Sequence, residues 1–160
     1  MGSPYARRDH FQKPTFWGAR SKKIRTPPRG QRKMMCRHEQ CIPLCPETEC
    51  SHEGAAKTFL LRDASGFLIE GFLVRHGGEL RAYQNQCPHM PLSLDYGDGQ
   101  FFDEENRYIL CRNHGALFDP ATGLCLAGPC AGARLKPLGV HIYDGAIHVE
   151  RPPGAPELEE

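Results

Sequence analysis

Apolar residues in this chain fall into short runs separated by turn signals. Phe59-Leu60-Leu61, residues 67–74 and residues 80–83 make up the first set. Asp63-Ala64-Ser65-Gly66 and His76-Gly77-Gly78 divide them, and both favour tight reversals because glycine accepts positive φ. Tyr108-Ile109-Leu110 runs straight into Cys111, and Ala116-Leu117-Phe118 leads away a few residues later. Asp119-Pro120-Ala121-Thr122-Gly123 reads as a further turn, with proline setting φ and glycine closing. Near the end, residues 140–143 and 146–150 flank Asp144-Gly145, the strongest short hairpin signal available. No window sustains a helical period. The pattern predicts an all-β fold, an antiparallel sandwich or barrel from one end of which loops project.

Two of those loops carry the chemistry. Cys87-Pro88-His89 and Cys111-Arg112-Asn113-His114 each offer one thiolate and one imidazole, at spacings C-x-H and C-x2-H. A Rieske-type [2Fe–2S] cluster needs two Cys on one iron and two His on the other, and two such loops meet that need. Zinc sites more often pair Cys with Cys and His with His along the chain, although a structural zinc site remains the alternative. With Pro88 after the first Cys and Gly115 after the last His, followed by Phe118-Asp119, the chain resembles the Rieske iron–sulfur family.

The resemblance covers residues 45–150 and implies a β base carrying a small cluster-binding subdomain of two loops. It implies that Cys87 and Cys111 hold the inner iron of one [2Fe–2S] cluster, and His89 and His114 the outer iron at an exposed tip. Members from cytochrome bc complexes join the two loops by a disulfide; the matching positions here are Leu92 and Asn113, so that bridge cannot form. Those members also place a Ser and a Tyr after the second His, as hydroxyl donors toward the cluster. Ala116 and Phe118 stand there instead. Donors near the sulfurs stabilise the reduced, more negative cluster, so their loss points to the low end of the Rieske range, about −150 mV. The spacer 90–110 carries Asp95, Asp98, Asp103, Glu104 and Glu105, which reads first as a solvated insertion.

Charge divides the chain. Residues 1–33 hold ten Lys or Arg against Asp9 alone, whereas the remainder holds ten basic and eighteen acidic residues, a balance of −8. An acidic body is a poor nucleic-acid binder and suits a basic docking surface. No apolar stretch approaches the length of a membrane span. Arg7-Arg8 invites a twin-arginine export reading, but residues 11–33 offer no apolar region to follow it. Residues 1–44 are therefore expected to be a basic, Pro-rich, disordered extension; an organelle transit peptide, or a start codon assigned too far upstream with Met34 or Met35 as the true first residue, are the alternatives. Residues 45–150 would form the domain, and residues 151–160 an acidic tail. A cytoplasmic location is expected.

The space outside the cluster unit cannot build the mononuclear iron domain of a Rieske oxygenase, with its 2-His-1-carboxylate site. The resemblance thus implies a ferredoxin-type carrier of single electrons between a reductase and an acceptor such as an oxygenase, rather than an enzyme. A small electron-entry or regulatory subunit of a multi-subunit reductase, of the nitrite reductase type, is the alternative. Six further cysteines remain. Cys36, Cys41, Cys45 and Cys50 cluster with His38 and His52, which suggests a second metal site as an alternative, but they fit no zinc or ferredoxin spacing and read as free thiols of a reducing compartment. Cys125 and Cys130 lie in a Gly-Pro loop that resembles the third loop covering Rieske clusters. They read as buried inert thiols, with a redox-sensitive disulfide as the alternative. His10, His76, His141 and His148 lack partners at metal-binding spacing and are expected at surface or rim positions.

Overall fold

A computed structural model describes residues 40–156. The basic stretch with Arg7-Arg8, His10, Met34, Cys36 and His38, and the last four residues of the acidic tail, lie outside the described residues. Ten strands and one 3-10 turn make up the described chain, with no α-helix among these residues. The all-β expectation therefore stands, and every strand pairing is antiparallel.

The strands are β1 (Cys41–Pro46), β2 (Ala56–Arg62), β3 (Leu68–His76), β4 (Glu79–Gln84), β5 (Ile109–Cys111), β6 (Ala116–Phe118), β7 (Cys125–Ala127), β8 (Pro137–Leu138), β9 (Val140–Tyr143) and β10 (Ala146–Glu150). They form three sheets, ordered β1-β10-β9, β2-β3-β4-β8 and β5-β6-β7. The Asp144-Gly145 signal becomes the turn between β9 and β10, with both residues at positive φ (52° and 72°) as a primed two-residue turn requires.

One expected boundary moves. β1 begins at Cys41, inside the stretch expected to be extension, because Cys41, Ile42 and Pro43 pair with Glu150, Val149 and His148. Its two prolines are tolerated because β1 is an edge strand and its register shifts between Pro43 and Cys45. Cys41 is disulfide-bonded, contrary to the free thiol expected there, whereas Cys45 and Cys50 are free and buried. Burial first, then the neighbouring Cys45, pushes the Cys50 thiol up to about 11, so it stays a neutral packing group. His148 is also buried rather than at the rim. It lies in the central strand of its sheet, and the Tyr143 ring stacks on it at 3.5 Å.

Strand β3 is buried on both faces, and that divides the core in two. Leu73 joins Leu61, Leu80, Ala82, Ile147 and Val149 against the terminal sheet. Phe72 and Val74 face the other way and join Cys87, Leu94, Phe101, Ile109, Cys111 and Phe118. The period of two along one strand thus builds both cores. Phe72 and Phe101 stack face to face with ring centroids 4.1 Å apart, which seats the 90–110 spacer on the base. At Gly71 a Cβ would lie 2.4 Å from the Phe59 ring on the opposite strand, so only glycine lets that ring cross β3.

Tyr83 on β4 ties the base to the second core. Its buried hydroxyl donates to the Pro120 carbonyl at 2.8 Å, in the turn that follows β6. Burial pushes that hydroxyl up to about 12, so it remains a donor throughout the ordinary pH range. Tyr83→Phe should lower stability by about 1–2 kcal/mol, since the Pro120 carbonyl loses its buried partner. Denaturant unfolding should show a lower midpoint with an unchanged slope; an unchanged midpoint would mean that water replaces the hydroxyl.

Candidate metal centre

Strand ends deliver both motif loops to one place. The first loop leaves β4 at Gln84 and reaches Cys87, whose N–H donates to the Leu92 carbonyl at 2.9 Å. The second is the tight connection between β5 and β6, where Cys111 ends one strand and stands opposite Ala116 on the next. The Gly115 N–H closes that turn on the Cys111 carbonyl at 2.9 Å. Cys87 and Cys111 are buried, at 4% and 0% exposure, whereas His89 and His114 are exposed. The two imidazoles meet edge to face with centroids 5.0 Å apart. The thiols of Cys87 and Cys111 lie within hydrogen-bonding reach of each other.

This places all four expected residues together, with sulfur inside and nitrogen outside. Among the described residues, no three His, Cys, Asp or Glu side chains are disposed to hold a single metal ion. Burial, and secondarily the adjacent Cys87, raises the Cys111 thiol against the Asn113 and His114 N–H groups aimed at its sulfur. Two desolvated thiols side by side cannot both ionise without positive charge between them, and a metal supplies that charge. The donor set fits a centre that needs thiolates on one side and imidazoles on the other.

Positions that could carry a loop-to-loop disulfide hold Leu92 and Asn113, and the loops are braced without one. The Asn113 amide donates to the Ser93 carbonyl at 2.6 Å, and the Arg112 N–H donates to the Leu94 carbonyl at 2.8 Å. The Tyr96 hydroxyl donates to the Arg112 carbonyl at 2.9 Å. Arg112 also forms an ion pair with Asp98. The Gln100 N–H first, and Arg112 second, hold the Asp98 carboxyl below its ordinary value. Ala116 and Phe118, expected to lack hydroxyl donors, are both fully buried.

The acidic spacer is less an insertion than a scaffold. Asp95 is fully buried, accepting from the Asn85 amide and the Gly99 N–H, each at 2.9 Å. Asp103 accepts from the N–H groups of Arg107 at 2.7 Å and Tyr108 at 3.2 Å. Glu104 and Glu105 are exposed, and Glu105 pairs with Arg107. Asn85, Ser93, Tyr96 and Arg112 were not singled out from sequence, because their roles are contacts between loops rather than motif positions. Cys125 and Cys130 fall in the same core as Cys87 and Cys111, with sulfurs 3.3 Å apart.

The family described as the Rieske [2Fe–2S] domain matches residues 40–144. Among solved structures, the ferredoxin of carbazole 1,9a-dioxygenase from Nocardioides aromaticivorans IC177 is similar at 24% identity and TM-score 0.54, covering 70% of this chain and 98% of that one. A chain from a complex of reduced oxygenase and oxidized ferredoxin in carbazole 1,9a-dioxygenase matches at 23% identity and TM-score 0.52, covering 76% and 99%. A chain from the reduced oxygenase–ferredoxin complex of that system matches at 20% identity and TM-score 0.58, and there this chain spans only 30% of the longer partner in the comparison. At these identities the structures establish the fold. No curated protein matches the chain.

The brace generates a test. Asn85→Ala would strip the Leu94 N–H and one Asp95 oxygen of buried partners, and should cost about 2–3 kcal/mol. Asn113→Ala, at a half-buried site, should cost less, about 1 kcal/mol. Thermal unfolding of the two variants would expose a wrong assignment if Asn113→Ala proved the more damaging.

Proposed function

The chain belongs to the Rieske [2Fe–2S] domain family and binds one [2Fe–2S] cluster, and from that premise we propose that it is a ferredoxin-type carrier of single electrons. Cys87 and Cys111 are proposed as ligands of the inner iron, and His89 and His114 as ligands of the outer iron. The observation that carries this reading is the pairing of two buried thiols with two exposed imidazoles 5.0 Å apart. When bound, such a cluster supplies one-electron redox chemistry near a protein surface.

The chain's own residues do the rest. Burial of Cys87 and Cys111 excludes water from the sulfur side. The outward imidazoles offer the short path to a partner, and exposed apolar residues adjoin His89 in the first loop. Met90 and Leu92 are each 43% exposed, and Pro88 and Pro91 flank them. Exposed apolar side chains beside a redox centre suit transient docking. A reductase as donor and an oxygenase as acceptor are the proposed partners, supported by the fold shared with ferredoxins of a dioxygenase system. An electron-entry subunit of a multi-subunit reductase is the second reading; the exposed imidazole tip suits either.

No helix among the described residues is long and apolar enough to cross a membrane. A cytoplasmic setting is proposed; Cys45 and Cys50 are free and buried, whereas Cys41 is disulfide-bonded. The stretch before β1 is proposed to be a separate basic extension, and residues 151–160 an acidic tail.

Purified protein from an iron-replete host should contain two irons and two acid-labile sulfides per chain, and His89→Cys or His114→Cys should shift its spectrum toward an all-Cys cluster. One tightly bound zinc with no labile sulfide would overturn the ligand assignment. The midpoint potential should lie at the low end of the Rieske range, about −150 mV. Ala116→Ser and Phe118→Tyr should each raise it where the new hydroxyl reaches a sulfur. A wild-type midpoint well above zero at neutral pH would exclude the ferredoxin-type reading.

A further inference from the structure

We propose that Cys125 and Cys130 form a second redox site, a dithiol that a low-molecular-weight disulfide converts into an internal disulfide beside the metal centre. The sulfurs already lie 3.3 Å apart. Closing that gap to the roughly 2.0 Å of a disulfide is a small movement for two side chains on one loop. The backbone holds them in register. Cys125 N–H donates to the Ala133 carbonyl at 2.8 Å, and Gly132 N–H donates back to the Cys125 carbonyl at 2.9 Å. The Ala131 N–H closes a turn on the Gly128 carbonyl at 3.2 Å, which brings Cys130 back over Cys125.

The strap so formed sits on the second ligand loop. Gly128 has φ +104°, and a Cβ there would lie 2.7 Å from the Ala116 Cα, so the strap touches the backbone two residues after His114. Its outer residues, Leu126 to Pro129 and Ala131 to Gly132, are exposed, and Cys130 retains 9% exposure against 2% for Cys125. Cys130 is therefore the less buried residue of the pair.

The exchange balances. The Cys130 sulfur loses its proton, bonds one sulfur of the external disulfide and expels the other, which takes up a proton. The Cys125 sulfur then loses its proton, bonds the Cys130 sulfur and expels the second external thiol. One external S–S bond is broken and one internal S–S bond is formed. The pair gives up two electrons and two protons, and the external disulfide gains both.

The pair also reaches the centre, and this part rests on the proposed cluster ligation. Cys130 lies within hydrogen-bonding reach of Cys87. In the structure its S–H donates to the Cys125 sulfur; with Cys87 held as a thiolate ligand, the same S–H would instead donate toward Cys87, a role no hydroxyl fills at Ala116 or Phe118. Disulfide formation removes the donor, so the reduced centre loses a stabilising contact and its potential falls. The thiol state of the surroundings would thereby set how readily the protein accepts an electron.

The test treats the holoprotein with oxidised glutathione across a series of glutathione ratios, followed by acid quench, maleimide labelling and peptide mass analysis. The expected product is a link between Cys125 and Cys130 with iron and sulfide retained and a lowered midpoint. Cys125→Ala should accumulate a glutathione adduct at Cys130. Continued maleimide labelling of both cysteines at every ratio would overturn the proposal, as would a stable adduct at Cys130 in the wild type. A link involving Cys87 or Cys111 with loss of iron would overturn it too. An unchanged midpoint in the linked protein would overturn the coupling. Protein that forms the link but contains no iron or sulfide would instead contradict the cluster reading, so the two failures are distinguishable.

Discussion

The side-chain amide of Asn85 donates to two carboxylates at once, Asp95 and Glu70, each at 2.9 Å, while its oxygen accepts the Leu94 N–H at 2.9 Å. It stands two residues before Cys87, where the chain leaves the base sheet. Its backbone N–H also donates to the Glu70 carbonyl on β3 at 2.8 Å. One residue thus fixes the first ligand loop to the sheet by main chain and side chain together. Asp95 is fully buried among neutral donors, and desolvating a carboxylate costs free energy that such hydrogen bonds must offset. The arrangement is therefore better understood as specifying one loop geometry than as adding stability.

From that anchor the brace extends to the second loop. A disulfide would fix two sulfurs and leave the rest of each loop free. Here, four contacts spread from Ser93 to Asp98 on one side and gather on Arg112 and Asn113 on the other. Because the second loop is a tight connection between paired strands, holding those two residues also orients Cys111 and His114 on either side of them. The exposed Arg112–Asp98 pair contributes least, since solvent and salt screen it. The shielded amide and main-chain bonds carry most of the constraint.

Sequence revealed much of this. The four residues proposed as ligands were legible as candidates because their identity and spacing suggest the chemistry directly. Strands β2 to β6 and the β9–β10 hairpin were legible because apolar runs and turn residues alternate. β1 was hidden by its prolines and cysteines, which an edge strand accepts but a propensity argument rejects. β8 has only two residues, and its pairing with Ala82 and Tyr83 is a long-range contact that no local pattern records. The acidic spacer was legible as composition only. Asp95, Asp98 and Asp103 turned out to hold backbone N–H groups, and such roles depend on where the neighbouring chain turns. Asn85 and Asn113 were silent for the same reason.

That reassignment changes how the acidic character bears on the redox chemistry. The body carries a balance of −8 beyond residue 33, which would by itself disfavour adding an electron. Yet the carboxylates nearest the ligand loops are compensated: Asp95 by an amide and an N–H group, and Asp98 by an N–H group and a guanidinium. More distant exposed charges are screened over about 8 Å at physiological ionic strength. The groups touching the sulfurs therefore decide the potential. Next to Cys111 these are the Asn113 and His114 N–H groups and the Asn113 amide, 3.9 Å from the sulfur, while Ala116 and Phe118 close the same space with carbon. A centre so furnished gains little on reduction from its inner side. Any adjustment of its potential falls to the few polarisable groups left there, the thiols of the neighbouring strap.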